Sequence, residues 1–399
     1  MTDWRQIKLG DIAEEVTVGH VGSMAQEYIS TGIPLLRSQN VLRHGFDLSD
    51  VKYIDEAFHL KLKKSALRGG DVVTVRTGKP GSTAVVPAEW SAANCSDLVI
   101  TRPGPQIDPY WLSYYINSAA AGYIDSQLVG AVQQHFNVSS AKNMNLNLPS
   151  LQEQRAIAEV LGALDDKIAA NTKLAATAVS LLEAHFAALG LNQDPGEDTP
   201  LVGLDELVEL NPKVAAPVEA EPVYVDMQKI PVANISISDW DHRPAKGGAR
   251  FKNGDTLLAR ITPCLENRKT GFVDFLDDGQ VGIGSTEFIV LRSRAGIPIA
   301  LSYFIATSER FRTFAIRHMV GTSGRQRVSA LDLTGYTVSK PDDRDLAEFE
   351  ESTGCTFVLM KSLTDENRSL AATRDALLPQ LMSGKLRVRE AEELVSAVV

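Results

Sequence analysis

Two loop segments of the sequence carry polar and cationic side chains that could bind another molecule. Each follows a short apolar run that ends in arginine, Val72-Val73-Thr74-Val75-Arg76 in one case and Thr256-Leu257-Leu258-Ala259-Arg260 in the other. Arginine can grip a guanine edge through two hydrogen bonds, whereas lysine, serine and threonine suit phosphate oxygens. These residue types favour nucleic-acid binding. The alternative is that the neighbouring glycines only form turns and the cations only face water.

The candidate binding residues occupy matching places in the two halves of the chain. In the first half they are Arg76, Thr77, Lys79, Gln133, Gln134 and His135. In the second half they are Arg260, Thr262, Asn267, Lys269, Ser323, Arg325 and Gln326. In the repeat, residues 133–135 correspond to Ser323, Arg325 and Gln326. These two further loops therefore differ in side-chain type. Loops that recognise different bases would need such a difference.

Signatures of catalysis are weak throughout the chain. The segment Asp108-Pro109-Tyr110-Trp111 is similar to a damaged amino-methyltransferase motif, but a capping carboxylate followed by proline suits the start of a helix better. The second half has Ile297-Pro298-Ile299 at that place, without aspartate. Neither a dinucleotide-binding nor a phosphate-binding glycine motif occurs, and the histidines and cysteines lack metal-ligand spacing. The sequence therefore predicts a chain that is not an enzyme, has no catalytic residues and binds no metal.

The chain is organised as a tandem duplication. Three segments of the first half return in the same order in the second: 68–76 as 252–260, 112–116 as 301–305, and 171–177 as 367–373. A repeat of this length corresponds to whole domains rather than to a solenoid. Short apolar runs at 71–75, 98–101, 256–259 and 287–291 predict strands. Each half is therefore expected to be an α+β domain.

Each half also ends in a long amphipathic segment. Apolar residues recur at steps of three and four from Ile157 to Leu189 and from Leu346 to Leu381. This narrow spacing predicts two long helices with coiled-coil seams. Asn171 and Asn367 fall on the seams, where a buried asparagine costs stability but fixes the register. We expect the helices to pack on each other as a coiled coil, although two separate amphipathic helices would give the same pattern.

Charge and cysteine content restrict the setting of the protein. The net charge of the 399 residues is -10. The acidic excess lies in residues 151–200, with 3 basic and 8 acidic side chains, and in 342–399, with 7 and 12. The remaining domains are near neutral and could present basic faces. Three distant cysteines and the lack of an apolar leader or of any run of 18 apolar residues predict a soluble, cytoplasmic protein.

The chain resembles the specificity subunit of type I restriction-modification systems over nearly its whole length. The segments that carry the resemblance are 255–269, 284–288, 148–158, 164–168 and 378–386. The sequence departs from the usual pattern at Arg268, where glycine is common, and the second helix lacks the P-x-x-x-E-Q start.

The predicted boundaries are target recognition domain 1 at 1–149, the central long helix at 150–191, a linker at 192–200, target recognition domain 2 at 201–341, the distal long helix at 342–386 and a C-terminal tail at 387–399.

The resemblance implies a division of labour within a larger complex. Each target recognition domain reads one half of a bipartite site in double-stranded DNA, and the paired helices set the gap between the halves. Two DNA methyltransferase subunits and the restriction/translocase subunits are the implied partners, without a membrane. S-adenosylmethionine, ATP and magnesium belong to those partners, so this chain is expected to bind no cofactor. A protein-interaction scaffold that no longer reads DNA, and a nuclease or methyltransferase in its own right, are the alternatives.

Overall fold

The computed structural model describes residues 4–127, 135–196, 199–232, 235–244, 247–322 and 324–396. The chain divides into two compact units. The first unit comprises Met1–Ala169 and Arg368–Val399, and the second comprises Ala170–Asn367. Each unit contains one α+β domain together with parts of two long helices.

The first unit contains short strands and helices that precede the first long helix. Its strands are β1 (Arg5–Lys8), β2 (Ala13–Val18), β3 (Ile33–Leu36), β4 (Val41–Leu42), β5 (Gly45–Phe46), β6 (Lys52–Ile54), β7 (Ala66–Leu67), β8 (Val72–Val75), β9 (Thr83–Val85), β10 (Ala93–Cys95), β11 (Leu98–Pro103) and β12 (Asn145–Leu148). Its short helices are α1 (Leu9–Ile12), α2 (Glu56–Lys61), α3 (Pro109–Asn117), α4 (Ala121–Ser126) and α5 (Val138–Lys142). Two four-stranded sheets have the orders β2-β11-β8-β9 and β6-β3-β10-β7.

The long helix α6 (Leu151–Ala188) begins in the first unit and ends in the second. The strands that follow are β13 (Leu201–Gly203), β14 (Val208–Leu210), β15 (Val223–Val225), β16 (Asp241–His242), β17 (Ala249–Phe251), β18 (Asp255–Ala259), β19 (Thr270–Phe272), β20 (Gly282–Gly284), β21 (Phe288–Ser293) and β22 (Thr337–Ser339). The helices that follow are α7 (Leu204–Leu207), α8 (Leu301–Thr307), α9 (Glu309–Arg317), α10 (Ala330–Leu333), α11 (Asp343–Met382) and α12 (Val388–Ser396).

The second unit repeats the two four-stranded sheets and the two-stranded sheet β1-β12 of the first, but the β4-β5 pair has no counterpart among its described residues. Its four-stranded sheets have the orders β14-β21-β18-β19 and β16-β15-β20-β17. In each unit the second sheet contains one parallel pair, β3 with β10 and β15 with β20. A two-stranded sheet joins the beginning and end of each domain, β1 with β12 and β13 with β22. The α+β class and the tandem duplication are thereby confirmed, and β8, β11, β18 and β21 coincide with the predicted strands.

The most conspicuous repeated residue, the aspartate at the start of β8 and of β18, is structural. Asp71 and Asp255 are buried, and each accepts a hydrogen bond from the backbone N–H three residues earlier. Arg102 lies 3.7 Å from the Asp71 carboxylate, and Arg292 donates to both carboxylate oxygens of Asp255 at 2.6 and 2.7 Å. A buried carboxylate needs such a partner because burial removes its hydration. This repeated motif therefore holds each central sheet together.

The two long helices pack together inside each unit, as the seams predict. In the second unit, Asn171 contacts Asn367, and the ring of Phe186 lies 6.4 Å from that of Phe349, so the helices run antiparallel. In the first unit, Leu161 and other seam residues of α6 share one core with the last turns of α11. The coiled-coil arrangement is confirmed. The domain boundaries stated above remain predictions.

The seam asparagine of α6 is buried and paired. Asn171 is 5% exposed, and its side-chain amide donates to Asn367 at 3.0 Å and to Glu366 at 2.7 Å. An unpaired amide at this depth would cost about 1–3 kcal/mol. The pairing therefore favours one register of the two helices in the second unit, as expected for a polar seam residue.

A buried polar network connects the domain of the first unit to both long helices. The His44 and Asn117 side-chain nitrogens are 3.2 Å apart, and the His44 ring lies 4.4 Å from the ring of Tyr114. The Tyr114 hydroxyl donates to Asp165 on α6, and Arg374 on α11 donates to the same carboxylate at 2.6 Å. We call these five residues the first-unit network. It links four segments of the first unit, namely the β4–β5 turn, α3, α6 and α11.

His44 gives the first unit a predicted pH dependence. Burial lowers the pKa of His44 to about 4 from its ordinary 6.5, and the opposing influence of Asp165 is smaller. Between pH 4 and pH 6.5, His44 therefore binds a proton in the unfolded chain but not in the folded chain. Stability is full above pH 6.5 and falls as the pH drops toward 4, by up to about 3 kcal/mol. Urea denaturation at pH 7.5 and 5.0 measures the loss.

The matched variant for this prediction is His44→Asn. His44 has a φ of 66°, a conformation that asparagine tolerates better than most residues, and asparagine does not titrate. We expect the variant to show a smaller loss of the urea midpoint between the two pH values than the parent. Equal losses in both proteins would show that His44 does not carry the effect.

Within the described residues, no helix has the length and apolar character needed to span a membrane.

Candidate nucleic-acid interface

The first candidate loop connects β8 to β9. Arg76, the residue after β8, is mostly buried and donates to Asp97 at 2.8 Å and to the carbonyl of Phe136 at 3.2 Å. Thr77 donates to the other oxygen of Asp97 at 2.7 Å. These two candidates are brought together by Asp97, which lies just before β11. Their polar groups are therefore engaged inside the protein.

The tip of this loop is open to solvent. Lys79 is exposed, and the Gly81 N–H donates to the carbonyl of Val75 at 3.1 Å, which closes the loop at its base. Gly78 has a φ of 90°, a left-handed conformation that favours glycine. The loop thus projects one uncommitted cation, which suits a phosphate contact.

The second candidate segment of the first unit is described only in part. His135 is half-buried and directly precedes Phe136, whose N–H donates to the Arg76 carbonyl at 3.0 Å. This hydrogen bond places His135 beside the Arg76 loop. Gln133 and Gln134 lie outside the described residues.

In the second unit, Arg260 follows β18 as Arg76 follows β8. Its N–H donates to the carbonyl of Glu287, and its carbonyl accepts from the N–H of Val328, both at 3.0 Å. The side chain is half-buried, and its Nε has no hydrogen-bond partner among the described residues. The backbone of Arg260 is therefore held from two sides while its guanidinium is not.

The remaining candidates of this loop differ in availability. Thr262 accepts from the N–H of Gln326 at 3.0 Å, and its own N–H donates to the Gln326 carbonyl at 3.0 Å. Asn267 is exposed. Lys269 donates to the backbone carbonyl of Met227 at 2.6 Å and is committed to that contact. The structure thus brings Thr262 and Gln326 together and leaves Asn267 free to face a ligand.

Arg268 shows why its position favours glycine. Its φ is 60°, a left-handed conformation in which a Cβ is strained. The side chain is 63% exposed and lies 3.4 Å from Glu309. The departure from the usual glycine therefore affects the backbone of the loop, and the cation it adds lies on the surface.

A short hairpin carries the last candidates. The backbones of Val320 and Arg327 exchange two hydrogen bonds of 2.9 Å each. Between them, Arg325 is exposed, and its N–H donates to the carbonyl of Thr322 at 2.9 Å. Ser323 lies outside the described residues. The hairpin presents an exposed arginine near its tip, at a place where a side chain can reach a groove of DNA.

Arg327 and Glu287 form a pair that the candidate residues did not include. Arg327 donates to both oxygens of Glu287, with distances from 2.7 to 3.0 Å. The contact lowers the pKa of Glu287, chiefly through the Arg327 hydrogen bonds, so the carboxylate stays charged. The sequence signal was present, because an acid precedes the central strand in both halves. Its partner is 40 residues away in the chain and could not be assigned from spacing.

Backbone hydrogen bonds align the candidate loops of the two units. Because Phe136 and Val328 donate to corresponding arginine carbonyls, His135 corresponds to Arg327 rather than to Gln326. Strand pairing sets Leu98 opposite Val75 and Phe288 opposite Ala259, so Asp97 corresponds to Glu287. Each unit therefore has the same backbone arrangement of strand ends and loops, which we call the frame, and the two frames carry different side chains.

The arrangement provides hydrogen-bond donors and cations on loops held by rigid sheets. The described residues contain no group of three side chains suited to hold a metal ion. Such loops can recognise base edges and phosphates.

Known proteins share both the sequence pattern and the fold. Residues 1–178 match the type I restriction modification DNA specificity domain. Over 200 residues, 48% of this chain and 33% of the relative, the chain is 26% identical to the type I restriction enzyme EcoEI specificity subunit of Escherichia coli. It is 32% identical over 133 residues, 31% of this chain and 22% of the relative, to the EcoAI specificity subunit of the same organism. The chain spans a third or less of the length of these two relatives.

A solved structure extends the comparison to the whole fold. The crystal structure of the type I restriction-modification S subunit from M. genitalium aligns with a TM-score of 0.58 and covers 95% of this chain and 96% of that one. The identity is 12%, so this likeness concerns the fold. Residues 1–178 thus carry the type I restriction modification DNA specificity domain, and the chain has the fold of that S subunit.

Proposed function

We propose that this chain is the non-catalytic DNA-recognition subunit of a type I restriction-modification complex and that its two units read the two halves of a bipartite site. The observation that carries the proposal is the repeated frame with different loop side chains. His135 of the first unit occupies the place of Arg327 in the second, and the candidate loops expose Lys79 in the first unit and Arg268 and Arg325 in the second. Two similar frames with different surfaces suit the recognition of two different sequences.

The proposal includes partners and a place in the cell. Two methyltransferase subunits and the restriction/translocase subunits are the proposed partners, and they are proposed to carry S-adenosylmethionine, ATP and magnesium. The acidic excess of the segments that contain α6 and α11 supports protein docking there, because acidic surfaces repel phosphates. A cytoplasmic location follows for a complex that acts on cellular DNA.

Selection from a random double-stranded DNA library tests the proposal. The chain is co-purified with its methyltransferase partner, and bound DNA is sequenced. A two-part motif with a fixed gap is expected, with affinity that falls steeply as salt rises. Exchange of residues 1–149 for those of a relative should then change one half only. Retention of DNA without any motif would favour the interaction scaffold instead.

Arg325→Ala is expected to change one half of the motif. Arg325 is the exposed arginine of the 320–327 hairpin, and loss of one arginine contact to a base costs about 1–3 kcal/mol. The variant should relax one position of the half-site read by the second unit and leave the other half unchanged. The sequence motif from library selection is the measurement. A motif identical to that of the parent would remove Arg325 from the base contacts.

A further inference from the structure

Both units place a carboxylate on the residue before the central strand, but different arginines occupy it. In the first unit, Asp97 binds Arg76, the arginine that follows β8. In the second unit, Glu287 binds Arg327 from the hairpin through three hydrogen bonds of 2.7–3.0 Å. In the second unit the carboxylate is therefore bound by an arginine of the hairpin, Arg327. In the first unit the corresponding carboxylate is bound by the arginine at the end of the strand, Arg76.

This exchange leaves Arg260 without the direct hydrogen bond to a carboxylate that its counterpart has, although the charges of Arg260 and Glu287 still interact. Among the described residues, the Arg260 side chain makes no hydrogen bond, and its Nε is buried. Arg76 has two side-chain hydrogen bonds. The buried Nε has lost water without gaining a hydrogen-bond partner among the described residues, which is costly. The terminal nitrogens of Arg260 are not among the buried atoms without a partner, so the acceptor pair of a ligand can reach them.

We propose that Arg260 is a specificity-determining residue of the second unit and that it binds the O6 and N7 acceptors of a guanine. Arg327 and Glu287 act as positioning residues, because Arg327 occupies both oxygens of the carboxylate and their pair holds the base of the hairpin. The inference rests on the proposed function. In the first unit the corresponding Arg76 is occupied by Asp97, so the same readout is not available there.

The surroundings of Arg260 favour a base edge over a phosphate. Its backbone is fixed on one side by Glu287 and on the other by Val328, so the side chain starts from a rigid position. Base readout requires a side chain that starts from a fixed position, whereas an exposed cation such as Lys79 suits a phosphate equally well. The planar fork of arginine matches the two acceptors of guanine.

Arg260→Lys is the decisive variant, because lysine keeps the charge but lacks the fork. Library selection with the full chain in its methyltransferase complex should show a guanine in the half-site of the second unit for the parent. In the variant, the preference for that guanine should fall about tenfold to a hundredfold, while the salt dependence of binding stays the same. Arg268→Gly is the matched control, since it removes an exposed cation from the same loop and suits the φ of 60°. Its motif should equal that of the parent.

The outcomes separate this inference from the proposed function. Absence of any two-part motif for the parent would contradict the proposed function itself. A parent motif without guanine in that half, or a guanine retained by Arg260→Lys, would overturn the inference alone. A uniform loss of affinity for all sequences in Arg260→Lys would indicate a phosphate contact and would also overturn it.

The positioning pair has its own test. Glu287→Ala frees Arg327 and is expected to weaken the guanine preference, whereas Glu287→Asp retains a carboxylate, as at Asp97, and should restore it. Thermal melting of both variants identifies any loss of folding. A guanine preference unchanged in a folded Glu287→Ala protein would remove the positioning role.

Discussion

Asp165→Ala is expected to destabilise the first unit by about 2–4 kcal/mol. Asp165 on α6 accepts hydrogen bonds from Tyr114 and from Arg374, and both it and Arg374 are about one-fifth exposed. Burial raises the pKa of Tyr114, and the hydrogen bond to Asp165 raises it further. Loss of the carboxylate leaves the buried Tyr114 hydroxyl without its acceptor, and it leaves the largely buried Arg374 guanidinium with Asp375 alone. Urea denaturation at pH 7.5 measures the expected loss.

Asp166→Ala is the matched control for this variant. Asp166 is the next residue of the same helix and is exposed, so its loss should change the free energy of unfolding by less than about 0.5 kcal/mol. Asp165→Asn should fall between the two, because an amide oxygen can still accept from Tyr114. Equal and small effects of Asp165→Ala and Asp166→Ala would show that the network does not stabilise the unit.

In the second unit, aromatic side chains rather than a polar network connect the domain to the long helices. Tyr303 corresponds in sequence to Tyr114, but its ring lies 6.5 Å from that of Phe272, which in turn lies 4.8 Å from Phe357 on α11. Phe304 stacks on Phe186 of α6 at 5.6 Å. Apolar contacts of this kind need no exact partner, whereas the first-unit network does. The first unit is therefore the one whose helix contacts are sensitive to a single charge.

The elements that the sequence predicted well are those fixed by local physics or by repetition. The seams of α6 and α11 follow from apolar spacing, and Asp108 caps α3 by accepting from the N–H of Trp111 at 3.0 Å. Asp71 and Asp255 recur because each central sheet needs a buried carboxylate in that turn. The repeated residues therefore identified the parts of the fold, such as the buried aspartates of the central sheets, in which both units need the same contacts.

The candidate interface was less predictable, because its side chains depend on partners distant in sequence. Arg76 and Arg260 look equivalent in the sequence, yet Asp97 binds Arg76, whereas among the described residues Arg260 makes no hydrogen bond to the corresponding Glu287. Which arginine is engaged depends on Arg327, whose contact with Glu287 spans 40 residues. The alignment of the loops was also displaced by one residue at His135, since an insertion in a loop leaves no periodic signal. The roles of all candidate residues in DNA binding remain predictions.

Lengthening both long helices by four residues is expected to widen the gap of the DNA site and to leave both half-sites unchanged. The insertions follow Ala169 in α6 and Asn367 in α11, where the chain passes between the two units. Four residues add about 6 Å and about 40° of rotation. One base pair adds about 3.4 Å and roughly 35°. A gap longer by one or two base pairs therefore matches the change, and library selection measures it.

Two further insertion variants test whether the length of the helices sets the gap between the half-sites. Insertion in α6 alone would displace the seam against α11 and should lower stability rather than give a new gap, because the pairing of Asn171 with Asn367 fixes the register. Seven residues in both helices keep the seam but add about 10 Å, close to three base pairs, with almost no rotation. Three base pairs rotate DNA by roughly 105°, so this protein should bind any gap more weakly than the four-residue variant. An unchanged gap in the folded four-residue variant, or an altered half-site, would contradict the helical ruler.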